Sequence, residues 1–139
     1  MKQALSIEQM KHLKDLGLDT SDASMHWQFL PTADSIINGT DEIEKEPCLF
    51  VSQPNMKHEY PAYILQDILG KLPVYLNYFG TKYKLHIEPN FAGAWFISYQ
   101  IGICEPFVFK LSENLLDAAY DMLCWCIENG YVKVVMEEK

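Results

Sequence analysis

Arginine is missing from this 139-residue chain: its basic residues are eleven lysines, set against nineteen Asp and Glu for a net charge of −8. Arginine supplies the planar fork that grips phosphate and guanine. Nucleic-acid binding also ordinarily rests on a basic stripe that displaces counterions. Scattered lysines in an acidic chain therefore argue against a DNA or RNA partner. No run approaches 18 apolar residues, so no membrane-spanning helix is expected. Met1–Leu5 lacks the apolar core of a secretory signal, which predicts a cytoplasmic chain. Its four cysteines, Cys48, Cys104, Cys124 and Cys126, are then expected as thiols. Asn38-Gly39-Thr40 matches a glycosylation pattern, but in that setting it reads as a turn. There is no P-loop, no G-x-S-x-G and no G-x-G-x-x-G. Internal repeats and low-complexity segments are absent too.

What is present is a globular composition, 49% hydrophobic and 13% aromatic. It excludes disordered, collagen-like and disulfide-knot classes. Ser6-Ile7-Glu8-Gln9 is a capping box. Ile7, Met10, Leu13 and Leu16 give one apolar face, and Gly17 gives a left-handed stop, so a helix is predicted over 7–16. Ser24–Leu30 alternates as a strand, with Met25, Trp27 and Phe29 inward and His26 and Gln28 outward. Residues 31–47 are polar and weakly patterned, a long loop or a concealed hairpin around Asn38-Gly39. Cys48–Ser52 reads as a second strand. Pro61 opens a second helix with the stripe Ile64, Leu65, Ile68, Leu69 and Leu72. Pro73 ends it, and Val74–Phe79 is expected as a short helical piece closed by Gly80.

A meander follows. Tyr83, Leu85 and Ile87 alternate with Lys84, His86 and Glu88. After the turn Pro89–Gly93, the strand Ala94–Ile101 lines one face with Trp95, Ile97, Tyr99 and Ile101, and Pro106–Lys110 is the last strand. Ser112 is expected to cap a third helix, Glu113–Asn129. Its wheel puts Glu113, Asn114, Asp117, Asp121 and Glu128 on one narrow polar arc and apolar residues elsewhere. Val132–Met136 is an edge strand or a frayed end. The fold class is thus α+β: a single domain over 1–139, with a mainly antiparallel sheet of about five strands and three helices mostly on one face. Leu13, Trp27, Leu65, Ile68, Leu85, Ile97, Leu116, Ala119, Leu123 and Cys126 are the expected core.

Several side-chain groups bear on chemistry. Cys124 and Cys126 are two residues apart on a helix, about 200° around its axis, so they cannot share one metal ion and read as packing thiols. His26, His86 and Glu88 all point to polar strand faces; on neighbouring strands they would form a small metal or acid–base site. Cys104 sits on a turn and is a nucleophile in principle, but no base is assigned to it. Tyr75, Tyr78, Phe79 and Tyr83, with Phe91 and Trp95, are an aromatic cluster that belongs either in the core or on an interface.

The stretches "LSIEQMKHLKDLGLDTSDASM" (5–25), "LQDILGKLP" (65–73) and "LLDAAYDMLCWCIENGYV" (115–132) resemble a family of small uncharacterised proteins of gut bacteria and their mobile elements. That resemblance implies a bacterial, intracellular setting and assigns no functional residue. No catalytic residue, metal or cofactor is expected, and no binding residue is assigned. The expected role is a small acidic accessory or adaptor protein that binds another protein or itself. One alternative is a small-molecule or enzymatic pocket between sheet and second helix. Another is an acidic mimic that occupies a nucleic-acid-binding protein.

Overall fold

The computed structural model describes residues 2–37, 39, 44–53, 56–90, 92–103 and 105–134. Its first helix, α1 (Ile7–Asp15), starts as the sequence predicts. Ser6 Oγ accepts the Gln9 amide at 3.1 Å, and Gln9 Oε1 accepts the Ser6 amide at 3.0 Å. Gly17, at φ 99°, takes the left-handed conformation that turns the chain out of α1. Gln9 Nε2 and Lys2 Nζ then both donate to Asp117 Oδ1, at 3.0 and 2.9 Å. So one carboxylate of the expected acidic ridge is already engaged by the N-terminal segment.

The chain is α+β, with four helices and two antiparallel sheets among the described residues. The first sheet has the order β2-β1-β3, from β1 (Met25–Pro31), β2 (Lys45–Val51) and β3 (Pro61–Ala62). A short helix, α2 (Ala33–Ile37), lies between β1 and β2. The second sheet is the meander β4-β5-β6-β7, from β4 (Tyr75–Tyr78), β5 (Thr81–Pro89), β6 (Trp95–Gln100) and β7 (Val108–Ser112). Helix α3 (Leu65–Lys71) packs on α4 (Leu115–Glu128), and α4 covers one face of β6 and β7.

This arrangement departs from the sequence reading at several places. Among the described residues the strands number seven, in two sheets, and the stretch 31–47, expected as a long loop or a concealed hairpin around Asn38-Gly39, joins the antiparallel pair β1–β2, with Pro31 opposite Lys45 and a fourth helix between them; Asn38 itself lies outside the described residues. Pro61 does not open a helix: it pairs with His26 on the outer edge of the first sheet, where its missing N–H leaves no ladder bond unmade. The helix begins only at Leu65, after Asp67 Oδ2 has accepted the Ile64 amide at 3.0 Å. Val74–Phe79 contains a strand rather than a helical turn. Leu76 is buried and its neighbours Tyr75 and Asn77 are exposed, a period-two pattern that pairing with β5 enforces. Phe79 (φ 49°) and Gly80 (φ 81°) form the two-residue left-handed turn that such a hairpin needs. Finally, Ser112 belongs to β7, and Asn114 caps α4, its Oδ1 accepting the Leu116 amide at 2.9 Å. The last strand begins at Val108, two residues beyond Pro106. Residues 131–134 form no strand, and the rest of the expected edge strand lies outside the described residues.

α4 is the centre of the core, as its wheel requires. Ala118, Ala119, Met122, Leu123 and Cys126 are fully buried, with Leu116, Cys124 and Ile127 close behind. Of the expected core residues, Leu13, Ile68, Ile97, Leu116, Ala119, Leu123 and Cys126 are buried, while Trp27, Leu65 and Leu85 are half-buried. The two largest fully buried side chains, Tyr63 and Tyr99, are outside the expected core set, although Tyr99 lies on the strand face expected to carry Ile97. Each satisfies its hydroxyl inside the fold: Tyr99 donates to the Pro73 carbonyl at 2.7 Å, and Tyr63 to Asp22 Oδ1 at 2.8 Å. No helix among the described residues is long and apolar enough to cross a membrane.

Candidate functional site

Strand alternation and register decide which side chains the meander presents on each face. Ile97 and Tyr99 of β6 are buried toward α4, together with their cross-strand partners Leu85 and Val108. The opposite face therefore carries Phe96, Ser98 and Gln100 of β6, Lys84, His86 and Glu88 of β5, and Phe109 and Leu111 of β7. Phe96 and Phe109 stack at 5.2 Å, and Phe109 and Leu111 are each half exposed. Ser98 is wholly buried on this face, covered by its larger neighbours. Tyr75 sits at the margin with Lys82 Nζ over its ring at 6.0 Å. No helix packs extensively on this face. It is an aromatic strip with Lys82 and Lys84 against a single carboxylate, Glu88, on a chain whose net charge is −8.

A second exposed apolar surface lies at the far end of the first sheet. Beyond Gln28 and Cys48, the paired strands β1 and β2 extend as a two-stranded arm. β2 packs extensively on no element other than β1, and α2 on no other helix or strand. Thr32 Oγ1 accepts the Ser35 amide at 3.2 Å, Ser35 Oγ donates to the Thr32 carbonyl at 2.9 Å with the Glu44 carbonyl also in reach at 3.2 Å, and the Thr32 amide donates to the Glu44 carbonyl at 2.8 Å, which ties the start of α2 to the strand ends. On this frame Leu30, Ile36 and Ile37 are exposed, Ile37 at 78%. Among the described residues of the same segments, Asp34, Glu44 and Glu46 stand against one cation, Lys45, with Glu46 directly across from Leu30. An isolated two-stranded hairpin is marginal in water, and a small domain rarely leaves this much apolar area uncovered.

The histidine constellation is different from the one expected. His26 and His86 lie in different sheets, so the group of His26, His86 and Glu88 does not form. His26 is also buried rather than facing water, the reverse of its expected side. Its ring stacks on His58 at a centroid separation of 3.7 Å and lies 6.0 Å from Phe50. Its Nδ1 is 3.0 Å from Ser52 Oγ, and its Nε2 is 2.7 Å from Gln28 Nε2. An amide NH₂ can only donate, so His26 Nε2 accepts and Nδ1 carries the proton that it donates to Ser52 Oγ. Burial, followed by the nearby His58, lowers the His26 pKa and favours this neutral ring. In this tautomer His26 is not a base toward Ser52, so the pair is not an activated serine.

His58 Nε2 is buried and has no hydrogen-bond partner. No spacing rule reveals the two rings, which are 32 positions apart and meet only through tertiary folding. The described residues hold no group of three or more His, Cys, Asp or Glu able to bind a metal. Cys104, the candidate nucleophile, lies outside the described residues. Cys126 and Cys124 are both buried, and burial pushes each thiol up to about 11. Their neighbours are different tyrosines, Tyr99 beside Cys126 and Tyr120 beside Cys124, so the two thiols stand apart, as the helical spacing requires.

The aromatic cluster divides. Tyr83 and Trp95 are half-buried, Phe91 lies outside the described residues, and Tyr75, Tyr78 and Phe79 are exposed, Phe79 at 91%. The β4–β5 pairing that replaces the expected helical piece turns these last rings outward. No protein-family model, no curated protein and no solved structure matches this chain.

Proposed function

We propose that this chain is an interaction protein that assembles with a second copy of itself, the acidic apolar arm of one copy seated on the basic aromatic sheet face of the other. The observation that carries the reading is the pairing of two uncovered surfaces of opposite local charge. The arm offers Leu30, Ile36 and Ile37 among Asp34, Glu44 and Glu46. The face offers Phe96, Phe109 and Leu111 toward one end of its strands, with Glu88 opposite Phe96, and Lys84 and Lys82 toward the other end. Apolar anchors inside a charged rim are the general anatomy of protein interfaces. A reciprocal exchange of arms also closes on itself, which gives a two-fold dimer rather than a fibre. The gathering of lysines on one face fits docking better than an evenly acidic decoy. The resemblance to small proteins of gut bacteria adds a setting and no chemistry.

Sedimentation equilibrium tests this directly. The full chain is expected to dimerise at micromolar concentration. Replacing an apolar anchor, Ile37→Asp or Phe109→Asp, should weaken the dimer by about thirtyfold, the loss of roughly 2 kcal/mol typical of a central contact. Lys82→Glu with Lys84→Glu should weaken it too, and adding Glu44→Lys with Glu46→Lys should restore it. A chain that stays monomeric at several hundred micromolar overturns the proposal. So does a dimer indifferent to all of these changes.

A further inference from the structure

Apart from the arm and the sheet face, a cleft of about 400 Å³ opens between α1 and a wall made of Ser52 and residues 56–61. That size falls within the range of small-molecule sites. Its floor is apolar, with Met10 and Leu18 almost fully buried. Lys11 and Lys14, one turn apart on α1, border it with Lys57 from the opposite wall. Three of the eleven lysines of an acidic chain thus converge on one concavity. None makes an ion pair with a described carboxylate; the ion pairs among the described residues are Lys2–Asp117 and Lys71–Asp22. Two carboxylates share the rim, Asp19 and Glu59. Asp19 is turned to its own loop, where Oδ1 accepts the Ser21 amide at 3.0 Å.

The polar wall adds direction. Ser52 lines the cleft and, through the His26 tautomer, accepts a proton from His26 Nδ1. The hydroxyl proton of Ser52 is therefore left to donate to something else. His58 lines the same wall, its Nε2 buried and so closed to a ligand in the cleft. A hydroxyl donor, unpaired ammonium groups and an apolar floor are the complement of one chemical class. We infer that this cleft binds a small amphiphilic acid, its carboxylate held by Ser52 and the lysines and its hydrocarbon body lying on Met10 and Leu18. Charge selects the head group, and the apolar floor supplies most of the contact area.

Decanoate is a suitable probe, kept below its micelle-forming concentration and titrated into the full chain while amide chemical shifts are followed by NMR. Saturable shifts confined to residues 7–23 and 52–61 are expected. Lys11→Gln, Lys14→Gln and Lys57→Gln together should weaken binding by about tenfold or more, since all three side chains are exposed and removable without disturbing the core. Ser52→Ala should weaken it severalfold, and uncharged decanol should bind far more weakly than decanoate. Lys82→Gln with Lys84→Gln, on the sheet face, should leave it unchanged, which separates this site from the dimer contact. The inference is overturned by an absence of saturable shifts at millimolar decanoate, by equal binding of decanol, or by a lysine triple variant that binds like the parent.

Discussion

Tyr63→Phe removes one oxygen from the centre of the molecule and isolates the bond that holds the wall of the cleft. Tyr63 is completely buried between α1 and α3. Its hydroxyl donates to Asp22 Oδ1 at 2.8 Å, with the Asp19 carbonyl also in reach at 3.1 Å. Both acceptors belong to the loop 17–24 that follows α1. Burial and the Asp22 carboxylate push the Tyr63 pKa far up, so the hydroxyl remains a donor at any working pH. A hydrogen bond to a charged group contributes about 1.5–3 kcal/mol. Here the lower end applies, because Asp22 keeps its ion pair with Lys71 and is half exposed to water when the hydroxyl is gone. The phenyl ring still fills the site, so no cavity term adds to this.

The expected loss is about 1.5 kcal/mol. For a chain of this length that is a fall of roughly 5 °C in Tm. In urea it is a fall of roughly 0.8 M in midpoint, at an m-value of about 2 kcal/mol/M, with the slope unchanged. Hydrogen exchange should also quicken at residues 19–23 while α4 keeps its protection. A midpoint within about 0.2 M of the parent would refute the reasoning, because it would mean that the hydroxyl does not anchor the loop.

Two further outcomes follow from other parts of the fold. His26 is held neutral in the native state with its pKa lowered, whereas the unfolded chain takes up its proton near 6.5. Stability should therefore fall as pH drops below about 6.5, because the unfolded state then binds more protons, and the parent should lose more between pH 7 and pH 5 than His26→Gln does; parallel urea midpoints for the two would contradict this. Phe79 holds a left-handed conformation at an exposed hairpin tip, so Phe79→Asn should raise stability by about 1 kcal/mol, and a Tm no higher than the parent's would show that the aromatic contact with Tyr78 outweighs the backbone strain.

The elements legible in the sequence are those whose signal is local. A capping box and a three-residue apolar spacing set α1 within one residue of its observed end. The wheel of α4 identified its burial, because a helix apolar on most of its circumference has no stable place except a core. The meander β5–β7 was legible from alternation and from turns only a few residues long. Beside these, β3 and β4 carry too few residues to show a period. Their aromatic and proline residues suit a helix start, a strand or a turn equally, and only the neighbouring strands β1 and β5 decide.

The sites belong almost wholly to tertiary structure. β1 has large side chains on both faces, so its sequence cannot say which face meets the rest of the chain. The arrival of His58 and Phe50 buried His26, while Phe29 of the nominally inner face was left 43% exposed. The sheet face exists because helices cover only one side of the meander, and the cleft because α1 stands apart from Ser52 and residues 56–61 at the rim. By itself the sequence determined where the chain must bury a helix and where it must alternate, since those are matters of spacing along the chain. Which surfaces were left for other molecules depended on which elements met in space, and that is set by contacts between residues tens of positions apart.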